Sequence, residues 1–211
     1  METCVTVLMN AIITLPVRDN INAALRSALD ESGLPWLPIY GSSDLPQARS
    51  VLLTQALARG ADRVLCIDAD IVPTADQILR LACHPRVDAW GAVTGLYALR
   101  SGEAWACTAP ASETESDGCR LADYAGLGFA CVSRLSLLAV RDSLPQLDDP
   151  KVGPWWPFCI PFVGDRNGRL EYCADDVSLW RRLQAAGTRL WADTRLVVGH
   201  QALMTLHSPL G

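Results

Sequence analysis

The sequence contains almost no lysine: Lys151 is the single one among 211 residues, and arginine supplies the other basic side chains. The segment after the first apolar stretch, TLPVRDN, also lacks a glycine- and lysine-rich phosphate loop. P-loop kinases require such a loop and nucleotidyltransferases normally carry one near the first strand, so both absences argue against these classes. The net charge of −5 means that nucleic-acid binding would need a local basic patch.

Closely spaced cysteine pairs are missing as well. The chain has 8 cysteines, but no two are separated by only two residues. Zinc fingers and zinc ribbons need such pairs, so the sequence excludes sites of that kind. Cys66 and Cys131 lie within apolar segments (VLCIDAD and GFACVS), a setting typical of buried, reduced thiols.

Membrane and export signals are not found in the sequence. No uncharged segment reaches the roughly 20 residues that a transmembrane helix requires. The N-terminal METCVTVLMNAIITLP lacks the basic leading region and cleavage site of a signal peptide, so we expect a buried first strand there and a cytoplasmic protein. At 50% hydrophobic and 19% charged residues, the chain suits one α/β domain over residues 1–211.

Strand-like apolar segments alternate with amphipathic helical segments, which predicts a mostly parallel sheet flanked by helices. Two helix starts have capping-box spacing, Asp44 with Gln47 and Thr74 with Gln77. The predicted strands cover residues 5–13, 36–40, 64–67, 88–94, 126–133 and 189–198. The predicted helices cover residues 20–31, 44–60, 74–83 and 175–186.

Two carboxylates, Asp68 and Asp70, directly follow the apolar segment 64–67. Ligands of open α/β sheets bind at the carboxyl ends of strands, and residues two apart face the same side. Two carboxylates suit Mg²⁺ or Mn²⁺ held jointly with substrate phosphates. The alternative is an ordinary solvated loop, since Asp is common after strands.

Further candidate residues lie both before and after this pair of carboxylates in the sequence. Asp175 and Asp176 begin the last predicted helix, where they serve either as capping residues or as a general base. His200, after LVVG, is either a third metal ligand or an ordinary histidine. Arg49 and Arg18 could contact a diphosphate or a base, or be surface charges.

Trp155, Trp156 and Phe158 lie in a proline-rich loop predicted over residues 145–161. Their rings could stack on a sugar or a base, or could fill the core. The sequence leaves both alternatives open.

The order of these motifs resembles that of metal-dependent glycosyltransferases of the A type. LPQARSVLLTQALARGADRVLCIDADIVPTADQILRL resembles the family's opening, with a helix before a strand that ends in a DxD motif. ADDVSLWRRLQAAGTRLWADTRLVVGH is similar to its second signature, an acidic pair followed by a final histidine. The resemblance covers about residues 3–100 and 122–202 and is closest to short family 2-like enzymes of phages and bacteria.

The resemblance implies a Rossmann-like GT-A domain with three α/β/α layers, a nucleotide-binding half (about 1–100) and an acceptor half (about 101–211). It implies transfer of a sugar from a nucleoside-diphosphate sugar, with a UDP-sugar favoured, to a hydroxyl. The implied cofactor is Mn²⁺ or Mg²⁺, bound mainly by Asp70 and also by His200. Asp68 would lie near the metal and the ribose, and Arg49 near the nucleotide.

For the acceptor side, the resemblance implies that Asp175 or Asp176 is the base if the reaction inverts. Gly126 and Gly128 would allow the backbone to approach the donor sugar. The sequence departs from the family at Ser50, where relatives commonly have Asn, and in its Asp-Asp pair, where they usually have Glu-Asp.

The acceptor is not readable from the motifs. A phage-like relative could modify a hydroxymethylated base in DNA, using a basic rim of Arg166, Arg169, Arg181 and Arg182, while glycans and other hydroxyl compounds stay open. Loops 100–120 and 145–170 would then select the acceptor. The alternatives are a catalytically inactive nucleotide-sugar-binding protein and, less well supported, a nucleotidyltransferase.

Overall fold

A seven-stranded sheet forms the centre of the computed structural model, which describes residues 10–87, 91–99, 104–108, 115, 117–166 and 168–201. The elements in chain order are β1 (Ala11–Val17), α1 (Ala23–Ser32), β2 (Trp36–Tyr40), α2 (Leu45–Ala58), β3 (Arg63–Ile67), β4 (Ile71–Val72), α3 (Ala75–Ala82), β5 (Gly91–Leu96), β6 (Cys107–Thr108), β7 (Cys119–Leu121), β8 (Tyr124–Ala125), β9 (Phe129–Ser133), α4 (Arg134–Asp142), β10 (Leu147–Asp149), β11 (Gly153–Trp155), β12 (Phe162–Arg166), β13 (Arg169–Cys173), α5 (Asp175–Ala185), β14 (Arg189–Val197) and β15 (Gly199–His200).

The strands of the central sheet follow the order β2-β1-β3-β9-β5-β14-β7. Strand β1 pairs in parallel with β2 and β3, and β14 pairs in parallel with β5. Strand β9 runs antiparallel between β3 and β5, and β7 runs antiparallel beside β14. Five of these strands therefore share one direction, and the sheet is mostly parallel but mixed.

Each strand supplies side chains to both faces of the sheet, because successive residues of a strand point in opposite directions. In β3, Val64 and Cys66 belong to one buried cluster, together with side chains of α2, α4 and α5. Leu65 and Ile67 belong to the other, with side chains of α1 and α3. Covering both faces explains why the segment is continuously apolar, and it produces three layers.

The helix starts agree with their predicted caps, with one difference. The Thr74 hydroxyl and the Gln77 side chain form the expected reciprocal capping box. Asp44 accepts a hydrogen bond from the Gln47 amide at 3.0 Å, but the Gln47 side chain donates to Asp149 instead of completing the box. Gln47 therefore ties helix α2 to strand β10.

The predicted first strand is displaced along the sequence. We expected residues 5–13, whereas β1 extends to Val17, and residues 1–9 lie outside the described part. Pro16 does not end the strand, although proline lacks an amide donor. His207, Asp88 and most of loop 100–120 also lie outside the described residues.

The proline-rich segment 145–161 contains the β10–β11 hairpin and turns inward beside α2. Trp155 and Phe158 are buried, and the partly buried Trp156 packs against the same core cluster. Ser50 anchors this segment, since its hydroxyl accepts a hydrogen bond from the Cys159 amide at 2.9 Å. The alternative in which Trp155 and Phe158 stack on a ligand is therefore wrong, and the core alternative holds.

Cys66 and Cys131 are free thiols buried in the core, and burial raises the thiol pKa of Cys66 to about 11. Cys4 lies outside the described part. Among the described helices, none combines the length and the apolar character that crossing a bilayer would need.

Candidate active site

The candidate site lies where β3 ends. The Asp68 amide donates to the Gly128 carbonyl at 3.0 Å, which ties the end of β3 to the residue before β9. The chain turns so that the Ile71 amide donates to the Asp68 carbonyl at 3.1 Å and β4 follows. Strand β15 pairs with β4 and places His200 opposite Ile71. This short ladder brings together residues that are 130 positions apart in the sequence.

Asp70 and His200 contact each other at this ladder. The Asp70 Oδ2 lies 3.2 Å from His200 Nε2, and His200 Nδ1 lies 2.7 Å from the Ala98 carbonyl oxygen. Since a carbonyl oxygen only accepts, Nδ1 carries a hydrogen and Nε2 faces the carboxylate. A ring held in this way offers Nε2 to a proton or to a metal ion, the arrangement usual for metal-binding histidines.

Asp68 has a different partner. Arg49 Nη2 donates to both Asp68 carboxylate oxygens at 2.8 and 2.7 Å, and Arg49 Nη1 contacts Asp175. Burial alone would lower the pKa of Arg49, but the carboxylates of Asp68 and Asp175 hold it above its ordinary value. Arg49 therefore joins α2, the end of β3 and the start of α5 through one buried cation.

The two acidic residues at the start of α5 are distinct in the structure. Ala174 is the N-cap residue and forms no side-chain capping hydrogen bond, but Asp176 Oδ1 accepts a hydrogen bond from the Val177 amide at 2.8 Å in the first turn. Asp175 is bound to Arg49, whereas Asp176 lines a cavity. Burial raises the pKa of Asp176 above its ordinary value, and the nearby Asp175 adds to that shift. A raised pKa makes Asp176 more basic than an ordinary aspartate.

Gly126 and Gly128 lie against Tyr97. A Cβ added at either glycine would overlap the Tyr97 hydroxyl, and the Gly128 amide donates to that hydroxyl at 3.0 Å. Both glycines are thus required by a tyrosine that the sequence analysis missed. Gly126 also lines the cavity, so its predicted role beside a donor sugar stays a prediction.

The cavity has a volume of about 300 Å³. It is lined, among the described residues, by Asp68, Asp70, Tyr97, Leu99, Trp105, Ala106, Cys107, Tyr124, Gly126, Asp176 and His200. Within that part of the chain, no three His, Cys, Asp or Glu side chains are grouped so as to enclose a metal ion. Asp70 and His200 form a pair, and Asp68 belongs to the Arg49 cluster beside it.

The predicted basic rim is not a set of free arginines. Arg181 binds Asp123 and Glu171, and Arg182 donates to the carbonyl oxygens of Phe158 and Ile160. The prediction that Arg181 and Arg182 are available to bind DNA phosphates is therefore wrong, because both side chains already have partners within the protein. Arg169 is exposed.

Sequence reasoning did not identify the aromatic wall of the cavity. Tyr97, Tyr124 and the exposed Trp105 come from separate segments with no shared motif. Among these features of the sequence, only Gly126 and Gly128 indicated that another group packs closely here, because glycines beside a buried strand often mark such a close approach.

Two solved structures resemble this one. The crystal structure of A197 from STIV matches with a TM-score of 0.59 and 16% identity, covering 93% of this chain and 87% of that one. The crystal structure of GalNAc-T7 with UDP, GalNAc and Mn²⁺ matches with a TM-score of 0.52 and 11% identity. That match covers 92% of this chain and 44% of the GalNAc-T7 chain.

No protein family model matches the sequence, and no curated protein does. At these identities the two structures establish the fold alone. The fold is the α/β fold of the glycosyltransferase A type, which confirms the predicted fold class.

Proposed function

We propose that this chain is a metal-dependent glycosyltransferase that moves a sugar from a nucleoside-diphosphate sugar to a hydroxyl acceptor. The observation that carries the proposal is the cavity at the end of β3, which gathers Asp68, Asp70, Asp176 and His200. The similarity to a structure solved with UDP and Mn²⁺ supports the choice of a UDP-sugar and that metal.

The donor set at the cavity fits a divalent cation. Asp70 and His200 supply one carboxylate oxygen and one ring nitrogen, 3.2 Å apart, and Ala98 holds the ring in the required tautomer. Mg²⁺ and Mn²⁺ are commonly bound by one or two protein groups together with substrate phosphates. When bound there, the cation offsets the charge that develops on the departing diphosphate.

The remaining residues take roles that follow from their contacts. Asp68 is fixed by Arg49 and borders the cavity. In this proposal it accepts a hydrogen bond from a ribose hydroxyl of the nucleotide. Asp176 accepts the proton of the acceptor hydroxyl while that oxygen bonds to the sugar carbon and the bond to the diphosphate breaks. Asp175 holds Arg49 and is not among the described residues that line the cavity. An attack assisted in this way inverts the configuration of the sugar.

The acceptor class is proposed from resemblance. The candidates are a hydroxymethylated base in phage DNA, glycans and other hydroxyl compounds. Arg181 and Arg182 have internal partners, so contacts to DNA phosphates would come from other arginines such as the exposed Arg169.

The proposal is tested by thermal shift with UDP-, GDP- and TDP-sugars, each with and without Mn²⁺. A donor present at 100 times its Kd should add about 2.7 kcal/mol of stability, and only with metal. Asp70→Ala should abolish that shift while the ligand-free melting temperature stays near that of the wild type. The matched control is Asp142→Ala, because the Asp142 side chain is 65% exposed and its ion-pair partner is the adjacent Arg141.

Each outcome has a defined meaning. Full metal-dependent donor binding by Asp70→Ala would exclude the proposed metal role. Metal-dependent donor binding without hydrolysis or transfer to any acceptor would favour the inactive binding protein. Release of pyrophosphate from a nucleoside triphosphate would favour a nucleotidyltransferase.

A further inference from the structure

Tyr97 contributes a buried side chain with a hydroxyl group to the wall of the cavity. The residue directly follows β5, is 6% exposed and lines the cavity. Its ring packs edge-on against the His200 ring, with centroids 5.5 Å apart. Gly126 and Gly128 leave the space that the hydroxyl occupies.

The hydroxyl uses only half of its hydrogen-bonding capacity. Its oxygen accepts the Gly128 amide hydrogen at 3.0 Å. Among the described residues, no acceptor takes up the phenol hydrogen. A phenol hydroxyl keeps its hydrogen at neutral pH, so Tyr97 has a hydrogen to donate. A buried donor without an acceptor is costly, which favours an acceptor atom on a bound ligand.

The position of Tyr97 indicates which part of a ligand it meets. Its ring contacts His200, which belongs to the proposed metal and diphosphate end of the cavity. Asp176, the proposed base, lines the same cavity. The group that lies between the diphosphate and the acceptor oxygen in a glycosyl transfer is the sugar itself.

We propose that the Tyr97 hydroxyl donates a hydrogen bond to an oxygen of the transferred sugar and thereby selects the donor. This inference rests on the proposed function, because it requires a nucleotide sugar in the cavity. It assigns Tyr97 to recognition of the sugar and not to binding of the nucleotide.

The test compares two ligands by calorimetric titration in the presence of Mn²⁺: UDP, and the UDP-sugar that binds best in the donor screen. Tyr97→Phe keeps the ring against His200 and removes the hydroxyl. We expect its affinity for UDP to stay within about twofold of the wild type and its affinity for the UDP-sugar to fall about tenfold, the value of one lost hydrogen bond. Tyr172→Phe is the matched control, because Tyr172 is 69% exposed and outside the cavity lining.

Equal losses for UDP and UDP-sugar would overturn the inference, since they would mean that the hydroxyl only positions Gly128 or His200. Unchanged affinity for both ligands would overturn it as well. Deoxy analogues of the sugar provide a second measurement: Tyr97→Phe should not weaken further the analogue that lacks the contacted oxygen. If the wild type binds neither UDP nor the UDP-sugar with Mn²⁺, the proposed function itself fails, and this inference fails with it.

Discussion

Replacing Arg49 with methionine should destabilise the fold more than replacing any exposed arginine. Arg49 is 9% exposed and its guanidinium binds both oxygens of Asp68 and one oxygen of Asp175. Methionine has nearly the helix propensity and the apolar stem of arginine, so the substitution removes chiefly the charge and its hydrogen bonds. Two carboxylates would be left facing each other without their shared cation.

The expected size of this effect follows from the burial of the three groups. Removing one partner from a fully buried ion pair costs about 3–5 kcal/mol. The Asp68 and Asp175 side chains are 25% and 19% exposed, so water can partly solvate them once Arg49 is gone. We therefore expect a loss of about 3 kcal/mol in the free energy of unfolding, at the lower end of that range.

Urea denaturation at neutral pH measures the loss. Arg26→Met is the matched control, since Arg26 also lies on a helix and pairs with Asp30, but both side chains are more than half exposed. Its ion pair and its contact with the Trp36 ring should together contribute about 1 kcal/mol or less. Adding Asp175→Asn to Arg49→Met should restore part of the stability, because one unpaired charge is removed. A loss for Arg49→Met no larger than that for Arg26→Met would refute the reasoning.

Two further predictions concern other carboxylates. Asp176→Asn should lower kcat by a factor of about 100 or more and leave the melting temperature unchanged. Asp175→Asn should lower the melting temperature and affect kcat less. Steady-state kinetics and thermal melts that show the reverse pattern would assign the base to Asp175. Asp193 is fully buried, and Arg80 and Arg195 lie beside it. Burial alone would raise the pKa of its carboxyl group, but the Arg195 amide and the two arginine side chains hold that pKa below the ordinary 3.8. Because that pKa is lowered, the stability advantage of the wild type over Asp193→Asn should shrink as the pH falls below 3.8 through the folded-state pKa of Asp193. An advantage that does not shrink over that range in urea titrations would contradict this.

The fold could be predicted from the sequence where local patterns decide it. The continuous apolar segment before Asp68 predicts a strand covered on both faces, and the Thr74–Gln77 box marks the next helix start, as the structure shows. The direction of β9 could not be predicted in this way. An apolar strand looks the same whether its neighbours run parallel or antiparallel, and only the long-range pairing with β3 and β5 sets its direction.

The candidate site shows the same limit. Asp68, Asp70 and His200 stand out in the sequence because each follows a strand-like segment. Nothing in the sequence indicates that Arg49 binds Asp68 and Asp175, because those contacts span 19 and 126 residues. The sequence therefore identified Arg49 but gave it a contact with the nucleotide, whereas the structure shows it binding two carboxylates of the protein.

The charges around the cavity bear on why donor binding should depend on metal. Asp68, Asp70 and Asp176 line the cavity, and among the described residues no arginine or lysine side chain does. Arg49 neutralises only part of this charge, since it is shared with Asp175. A diphosphate placed about 4 Å from an unneutralised carboxylate is repelled by about 1–4 kcal/mol per pair of charges at the dielectric constants of water and of a protein surface. In the proposed function, a cation held by Asp70 and His200 would turn that repulsion into attraction. UDP without metal should then bind far more weakly than UDP with Mn²⁺, and equal affinities would mean that the diphosphate binds elsewhere.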